Sequence, residues 1–491
     1  MEWNKIVDVL KFDPASPLLF NTGLFLILFV AIAGLYALLR KQRTLRMIVV
    51  ILFSLYFYYK SSAEYCFILL GTVVADYCLG LLMGSCNVKW QRVSILVVNI
   101  VINVGMLVYF KYINLILGTI STFASARFDA LDIILPAGIS FFAFRSISYI
   151  TDIYRREMEP CRSFLDYMFF LTFFPPLLMG PVVRAKDMLP QLKGDPIVTH
   201  AMVSEGFFLI MAGLIKKVVV ADFISGNFVD RVFDSPALYS GFENMMAIYG
   251  FAIQLYCDFS GYSDMAIGIA LLLGFRFKPN FNAPFKSENP TELWHRWHIS
   301  LSTWLRDYIY IPMGGNRKGR VRTHVNQMTT MVVGGLWHGA SWMYVIWGAL
   351  HGVLLIVHKE FRRMFPRITK AGNRRWWRVA LNMFLTFNLV ALTFMFFRAR
   401  SMEHVSQMMH QIFHDFHISV APQFVYGYFA IVIAMLAGYF MHFIPRRWYR
   451  HSLKRYEAFP LILQAVILAI VIFVIIQVRQ SDIVPFIYLQ Y

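Results

Sequence analysis

From Thr323 to His358 the chain carries no Asp, Glu, Lys or Arg, a run of roughly 36 residues that would measure about 54 Å as one straight helix. The hydrocarbon core of a bilayer is only about 30 Å thick. Basic runs flank the stretch on both sides, Arg317 to Arg322 before it and Lys359 to Arg378 after it, and such runs stay on the cytosolic side of a membrane. Both ends therefore belong on one side, and the segment is predicted to fold back on itself or to include tilted and re-entrant pieces. Gly334, Gly335 and Gly339 mark the break, because glycine weakens a helix and lets backbone or ligand come close. They bracket His338, which is thereby placed deep in the membrane.

Composition agrees with this reading. With 491 residues, 58% hydrophobic and 15% charged, the chain has too little polar residue to coat a soluble globule, so the expected class is an all-α integral membrane protein. The net charge of +18 falls in short runs between apolar segments, such as Arg40 to Arg46 and Arg446 to Arg455, which is the pattern of membrane orientation and not of a nucleic-acid surface. Cys66, Cys78, Cys86, Cys161 and Cys257 have no paired spacing and are read as packing residues, not a disulfide framework or zinc site. No cleavable signal peptide is expected, since the first apolar run, Leu18 to Leu39, is long enough to span. Further spans are expected over Met47 to Tyr59, Tyr65 to Met83, Val93 to Ile120, Val379 to Phe397, Gln423 to Ile444 and Phe459 to Val478. Alternation of the basic turns puts both termini outside the cytosol. Arg400 to Pro422 reads as an external loop; His410 and His414 stand at i, i+4, but no metal site is expected there.

Polar residues inside apolar segments mark what needs explaining. Asp76 and Lys111 fall within spans and read as structural partners or, for the lysine, as a snorkelling side chain. Pro175, Pro176, Gly180 and Pro181 interrupt a helical run, as a cavity wall, a re-entrant turn or a kink. Tyr256, Asp258, Ser260, Gly261, Tyr262, Ser263 and Asp264 form a polar island, open to two readings: a hydrated site or a network joining helices. Trp294 to Tyr308 is predicted as one re-entrant or interfacial helix. Trp294, Trp297, Leu301, Trp304 and Tyr308 make its aromatic stripe, and His295, His298, Ser302 and Arg306 lie on the adjacent face. His338 is either a buried histidine with a structural hydrogen bond or a functional group; both readings stand at this point.

The stretches LPAGISFFAFRSISYITDIYR, FFPPLLMGPVVRAKDMLPQL, GLIKKVVVADFIS, YCDFSGYSDMAIG, FKPNFNAPF, WHISLSTWLRDYIYIPMGGNRKG, GGLWHGASWMYVIWGALHG and PFIYLQY together resemble the membrane-bound O-acyltransferases, most closely the bacterial alginate O-acetyltransferase branch. The likeness runs from about Leu135 to Tyr491. It implies about 11 transmembrane helices with re-entrant or interfacial ones around a funnel. The implied organisation is a single polytopic domain: N-terminal helices over 1–130, a catalytic core over 131–360 and C-terminal helices over 361–491. The implied activity is transfer of an acetyl or other short acyl group from a cytosolic thioester, acetyl-CoA being the expected donor, to a hydroxyl of an envelope polysaccharide such as alginate or peptidoglycan. Transfer is either direct or through an extracytoplasmic esterase-like partner protein, in the bacterial inner membrane. D-Alanyl transfer to teichoic acid is the alternative within the family.

The resemblance maps the catalytic roles to His338 and His298; substrate binding is expected at Arg306, Asp307, Asp258, Tyr256, Ser260, Trp337 and Asn316. It assigns no role to His351, and His295 stands where it calls for a basic or neutral residue. Histidine suits the chemistry, since a hydroxyl attacking a thioester needs a base near neutral pH. His338 is the expected base, with His298 or Arg306 positioning the acyl group or stabilising the oxyanion. A reading from another class, a transporter or channel with Asp258, Asp264 and His338 along an ion path, fits the same intramembrane polar residues.

Overall fold

The computed structural model describes residues 8–14, 16–124, 128–194, 197–366 and 375–478, and among these every regular element is helical. The N-terminal part comprises α1 (Gly23–Leu38), α2 (Arg43–Ser62), α3 (Cys66–Ser85), α4 (Lys89–Leu107) and α5 (Ile113–Ala124), then α6 (Ile139–Tyr154) and α7 (Phe164–Thr172). The middle holds α8 (His200–Leu214), α9 (Gly241–Leu272), α10 (Pro290–Arg296), α11 (Ile299–Leu305), α12 (Arg320–His338) and α13 (Trp342–Met364). Beyond it come α14 (Trp376–Arg398), α15 (Met402–His414), α16 (Phe429–Phe443), α17 (Arg446–Glu457) and α18 (Leu461–Val478). Among the described residues, four helical stretches are long and apolar enough to cross a membrane, or up to six if each of two sharply bent pairs is one span. The expected motif Pro485 to Tyr491 and the sidedness of the C-terminus lie outside the described residues.

The uncharged run folds back as expected. α12 and α13 are joined by Gly339 to Ser341, and their far ends are tied together, with Arg320 paired to Glu360 and His324 Nε2 2.9 Å from Glu360 Oε1. Small residues allow the close pairing: a methyl group on Gly348 would strike the Met331 carbonyl. Gly334 and Gly335 stay within α12, so only Gly339 of the three glycines belongs to the break. α12 rises about 28 Å over its 19 residues, from the basic end to a hinge occupied by His338.

The basic turns converge on one rim. Arg43 bonds Asp166 at 2.7 Å, Arg92 donates to the Ile153 carbonyl at 2.8 Å, Arg184 bonds Asp307 at 2.8 Å, and Arg446 reaches Asn282. On the other rim Lys60 reaches the Val9 carbonyl and Arg398 bonds Asp230 at 2.6 Å. α2 and α3 run in opposite directions between these rims: Arg43 begins α2 beside Asp166, Asp76 midway along α3 accepts from the neighbouring Tyr167, and Ala63 between them has φ 47°.

Two expectations need correction. The single helix over Trp294 to Tyr308 is broken: Trp297 is extended and His298 is left-handed (φ 41°, ψ 56°) between α10 and α11. The intended face is thereby dispersed, leaving His295 and Arg306 exposed and His298 fully buried. Arg400 to Pro422 is largely the helix α15, not a loop, because Val405, Met408 and Ile412 recur at helical spacing and bury against the fold. His410 and His414 stack at 4.7 Å on it, and no group of three metal-ligating side chains occurs among the described residues.

Candidate active site

Two apolar cores meet at the hinge. One, from α1, α2, α6 and α7, ends on Trp304 and Trp337; the other, from α9, α13, α14 and α15, ends on Trp297, Trp347 and Phe397. His338 lies on the seam, its ring centroid 5.1 Å from Trp337, 5.1 Å from Trp347 and 5.3 Å from Phe397. The His298 ring is 6.4 Å away, edge-on to Phe259 at 4.6 Å and to Trp337 at 5.5 Å. Two imidazoles are thus buried together in a chamber walled by aromatic rings, the kind of place where a few placed polar groups decide the chemistry.

Local sequence explains how each histidine arrives there. His338 is the last residue of α12, and two consecutive side chains of a neighbouring π-helical turn hold that helix end: Lys111 donates to the Trp337 carbonyl at 2.6 Å and Tyr112 to the Leu336 carbonyl at 2.8 Å. Both satisfy carbonyls a helix terminus leaves open, and the lysine adds a favourable charge at the negative end of the dipole. Lys111 therefore has a structural partner, one of the readings its sequence position allowed, and so does Asp76, which accepts from Asn99, Ser146 and Tyr167. His298 turns inward because its left-handed backbone ends α10 and starts α11; non-glycine residues rarely take this conformation, and such strain concentrates at functional positions.

His351 stands one turn further along α13, its ring 4.7 Å from Trp347 and its Nε2 3.0 Å from Thr393 Oγ1. The threonine proton goes to the Val390 carbonyl at 2.7 Å, so the hydroxyl accepts from His351 Nε2–H. His351 backs Trp347 and reaches the chamber only through it.

The other residues expected to bind substrate are not gathered here. Asp258 is 2.6 Å from Lys217 Nζ, which also pairs with Asp222 at 2.7 Å; Lys216 pairs with Asp264 at 2.6 Å and lies over the Tyr256 ring. The polar island therefore divides by helical face: its charges bond α9 to the π-helical segment Ile215–Asp222, Ser260 is buried along the same helix, and Phe259 and Ser263 turn toward His298 and Asn280. Arg306 is exposed and Asp307 half-buried, whereas His298 is fully enclosed. Arg306, Arg184 and Arg155 all bond Asp307, and Arg155 and Arg184 also stack on Tyr308. Burial alone would raise the Asp307 carboxyl, but the Arg306 and Arg184 guanidiniums outweigh it and hold it below the usual carboxylate range. Asn316 is exposed in the turn before α12.

Asn280 is the residue the sequence reading passed over. Its Oδ1 lies 3.2 Å from His298 Nδ1, and its own carbonyl accepts from Ile299 N–H at 2.8 Å. It stands inside the quoted stretch FKPNFNAPF, so a signal was present without a periodic pattern to interpret it.

A family profile described as MBOAT, membrane-bound O-acyltransferase family, matches residues 154–397. A probable alginate O-acetylase of Pseudomonas aeruginosa is 37% identical over 405 residues, 81% of this chain and 75% of its own. A peptidoglycan O-acetyltransferase of Helicobacter pylori is 35% identical over 416 residues, covering 79% and 78% of the two chains. A teichoic acid D-alanyltransferase of Bacillus subtilis is 28% identical over 278 residues, 54% of this chain and 69% of its own.

Proposed function

This chain belongs to the membrane-bound O-acyltransferase family, and from that premise we propose that it transfers an acetyl group from a cytosolic thioester to a hydroxyl of an envelope polysaccharide, with His338 as general base. The observation that carries the reading is the pair of buried histidines at the hinge of α12 and α13, on the seam of two cores. Relatives named for acetyl transfer to alginate and to peptidoglycan match about four-fifths of the chain, those named for D-alanyl transfer about half, so acetyl transfer is favoured. Alginate-like exopolysaccharide and peptidoglycan both fit as acceptor.

The acceptor hydroxyl attacks the thioester carbonyl as its proton passes to His338. The new C–O bond forms, the C–S bond breaks, and His338 returns the proton to the departing sulfur, leaving an ester and a free thiol. A neutral imidazole in an apolar chamber does this without a buried charge in the resting state. Acetyl-CoA is the thioester that fits the basic rim, where Arg184 and Arg306 share the Asp307 carboxylate, Arg155 donates to the Asp307 backbone carbonyl and pairs with Glu157, and the exposed Arg306 can meet a phosphate-bearing head. Its flexible arm would run along α12 toward the hinge while the acceptor, or an extracytoplasmic partner carrying the acetyl group onward, comes from the other rim. About 11 crossings around a funnel, both termini extracytoplasmic in a bacterial inner membrane, would provide that two-sided access.

Sealed, oriented proteoliposomes test this. Acetyl-CoA at the cytosolic face should acetylate an alginate-type polyuronate or peptidoglycan fragment supplied only at the opposite face. Equal transfer with both substrates confined to the cytosolic face would rule out the cross-membrane route, and acceptor-independent solute movement without thioester consumption would return the transporter reading.

A further inference from the structure

We propose that Asn280 is the positioning residue that locks His298 into one tautomer, with Nδ1 protonated and Nε2 bare, and so makes His298 the proton-accepting partner of His338. The role rests on the acyl-transfer reading above; the tautomer itself does not.

The orientation of the Asn280 carboxamide follows from its neighbours. Its Oδ1 receives the Ser300 backbone N–H at 3.2 Å, a group that can only donate, and accepts from Ser300 Oγ at 2.9 Å. Its Nδ2 faces the Gly180 carbonyl at 3.4 Å and Ser263 Oγ at 3.2 Å. Exchanging oxygen and nitrogen would set an NH2 against an N–H donor and an oxygen against a carbonyl, so only one assignment satisfies the buried groups. Oδ1 is an acceptor, so His298 Nδ1, 3.2 Å from it, has to donate. The ring's single proton is then on Nδ1. Nε2 keeps its lone pair, is fully buried, and has no hydrogen-bond partner among the described residues.

The same residue fixes the backbone. The Asn280 carbonyl accepts Ile299 N–H, the first amide after the left-handed His298, so one asparagine holds both the strained turn and the ring it carries. The walls around the ring are Phe259, Phe281 and Trp337. The titratable group facing it is His338 from α12, flanked by Lys111 on the Trp337 carbonyl and by His351 behind Trp347. With the two centroids 6.4 Å apart, a single oxygen placed between the rings, of a water or of the acceptor hydroxyl, would be within ordinary reach of about 2.6–3.2 Å of both. A bare Nε2 can only accept from that oxygen, so His298 cannot be the oxyanion donor that its motif position allowed. It draws a proton away from His338, leaving the opposite edge of that ring basic toward the acceptor hydroxyl. This is the arrangement of a base oriented by a second group which is itself oriented by a third.

The test uses the full-length protein, purified in lipid, with histidine rings labelled with nitrogen-15. The His298 signals, identified by their loss in His298→Gln, should be those of a protonated Nδ1 and an unprotonated Nε2 in the parent and in Asn280→Asp, which keeps the accepting oxygen, and should change in Asn280→Leu. With acetyl-CoA and a polyuronate, Asn280→Leu should lose about 10²-fold in kcat with the KM for acetyl-CoA unchanged. Asn280→Asp should keep activity within about tenfold, with the acid limb of its pH profile moved to higher pH by the added carboxylate. A parent spectrum showing a protonated Nε2, or an Asn280→Leu protein with parental kcat, overturns the proposal. If Asn280→Leu fails to fold, the parent spectrum and the acid limb of Asn280→Asp decide, and an unmoved limb counts against it. If the spectra are as expected but no acetyl transfer is detected in any variant, the acyl-transfer reading fails and the tautomer assignment stands.

Discussion

The α12–α13 hinge and the middle of α9 both place polar groups inside an apolar protein, and they do so in opposite ways. On α9 the charges are matched: Lys217 with Asp258 and Asp222, Lys216 with Asp264, each contact at 2.6 or 2.7 Å. At the hinge the groups are imidazoles, and His298 Nε2 presents a lone pair to the chamber. Matched charge rigidifies helix contacts and is satisfied within the fold, whereas an available lone pair in a buried chamber is poised for an incoming proton. The contrast teaches that polarity in a membrane segment becomes a site where the protein leaves it unspent.

The sharpest way to break the comparison is to remove the hinge base. His338→Ala is expected to lower kcat by about 10²- to 10⁴-fold while the thermal unfolding transition stays near that of the parent. Acetyl transfer from acetyl-CoA and a melting curve on the same preparation measure both. Near-parental turnover would move catalysis elsewhere.

The complementary change on α9 should act on stability. Lys217→Met leaves the buried Asp258 and the half-buried Asp222 without their shared cation, and breaking a buried ion pair costs about 3–5 kcal/mol. A large drop in unfolding temperature is expected, with residual folded protein keeping its KM. Lys217→Met combined with Asp258→Leu should recover part of the loss, since it removes one of the stranded carboxylates. Full stability with lost turnover in the single variant would instead make the α9 cluster part of the site.

Lys111→Met sharpens the comparison from the side of geometry. Removing the cation that caps α12 leaves the Trp337 carbonyl without its donor and frees the hinge to shift, for which about tenfold in kcat is expected with donor KM little changed. Wild-type kcat in this variant would show that Tyr112 and the close approach of Gly348 to Met331 suffice to hold the helix end.

How much of this was legible follows from what each element depends on. The α12–α13 hairpin was, because a charge-free run too long for one crossing, with basic residues at both ends, has few ways to fold. The break inside Trp294 to Tyr308 was not. Aromatic and polar positions continue at helical spacing straight through it, and the residue that takes the left-handed backbone is His298, not a glycine. The likeness to acyltransferases pointed to both histidines, yet Arg306 and Asn316 stand in the same motifs and fold to the rim and an exposed turn. Asn280 reaches His298 across a tertiary contact from an extended segment, where neither periodicity nor spacing carries information.

The smallest expected effect separates the two histidines that sequence alone places side by side. His295 and His298 are three residues apart, which in the continuous helix expected over this stretch would put them on one face. In the folded chain His295 is exposed in the last turn of α10 and His298 is fully enclosed. An exposed side chain away from the chamber contributes within about 0.5 kcal/mol to stability. His295→Ala should therefore keep kcat and KM within about twofold, since a 1.4 kcal/mol change is needed for tenfold. His298→Ala, measured beside it, should lose about 10²-fold or more. If the two variants were equally impaired, the chain would be a continuous helix here after all, with both rings facing the substrate.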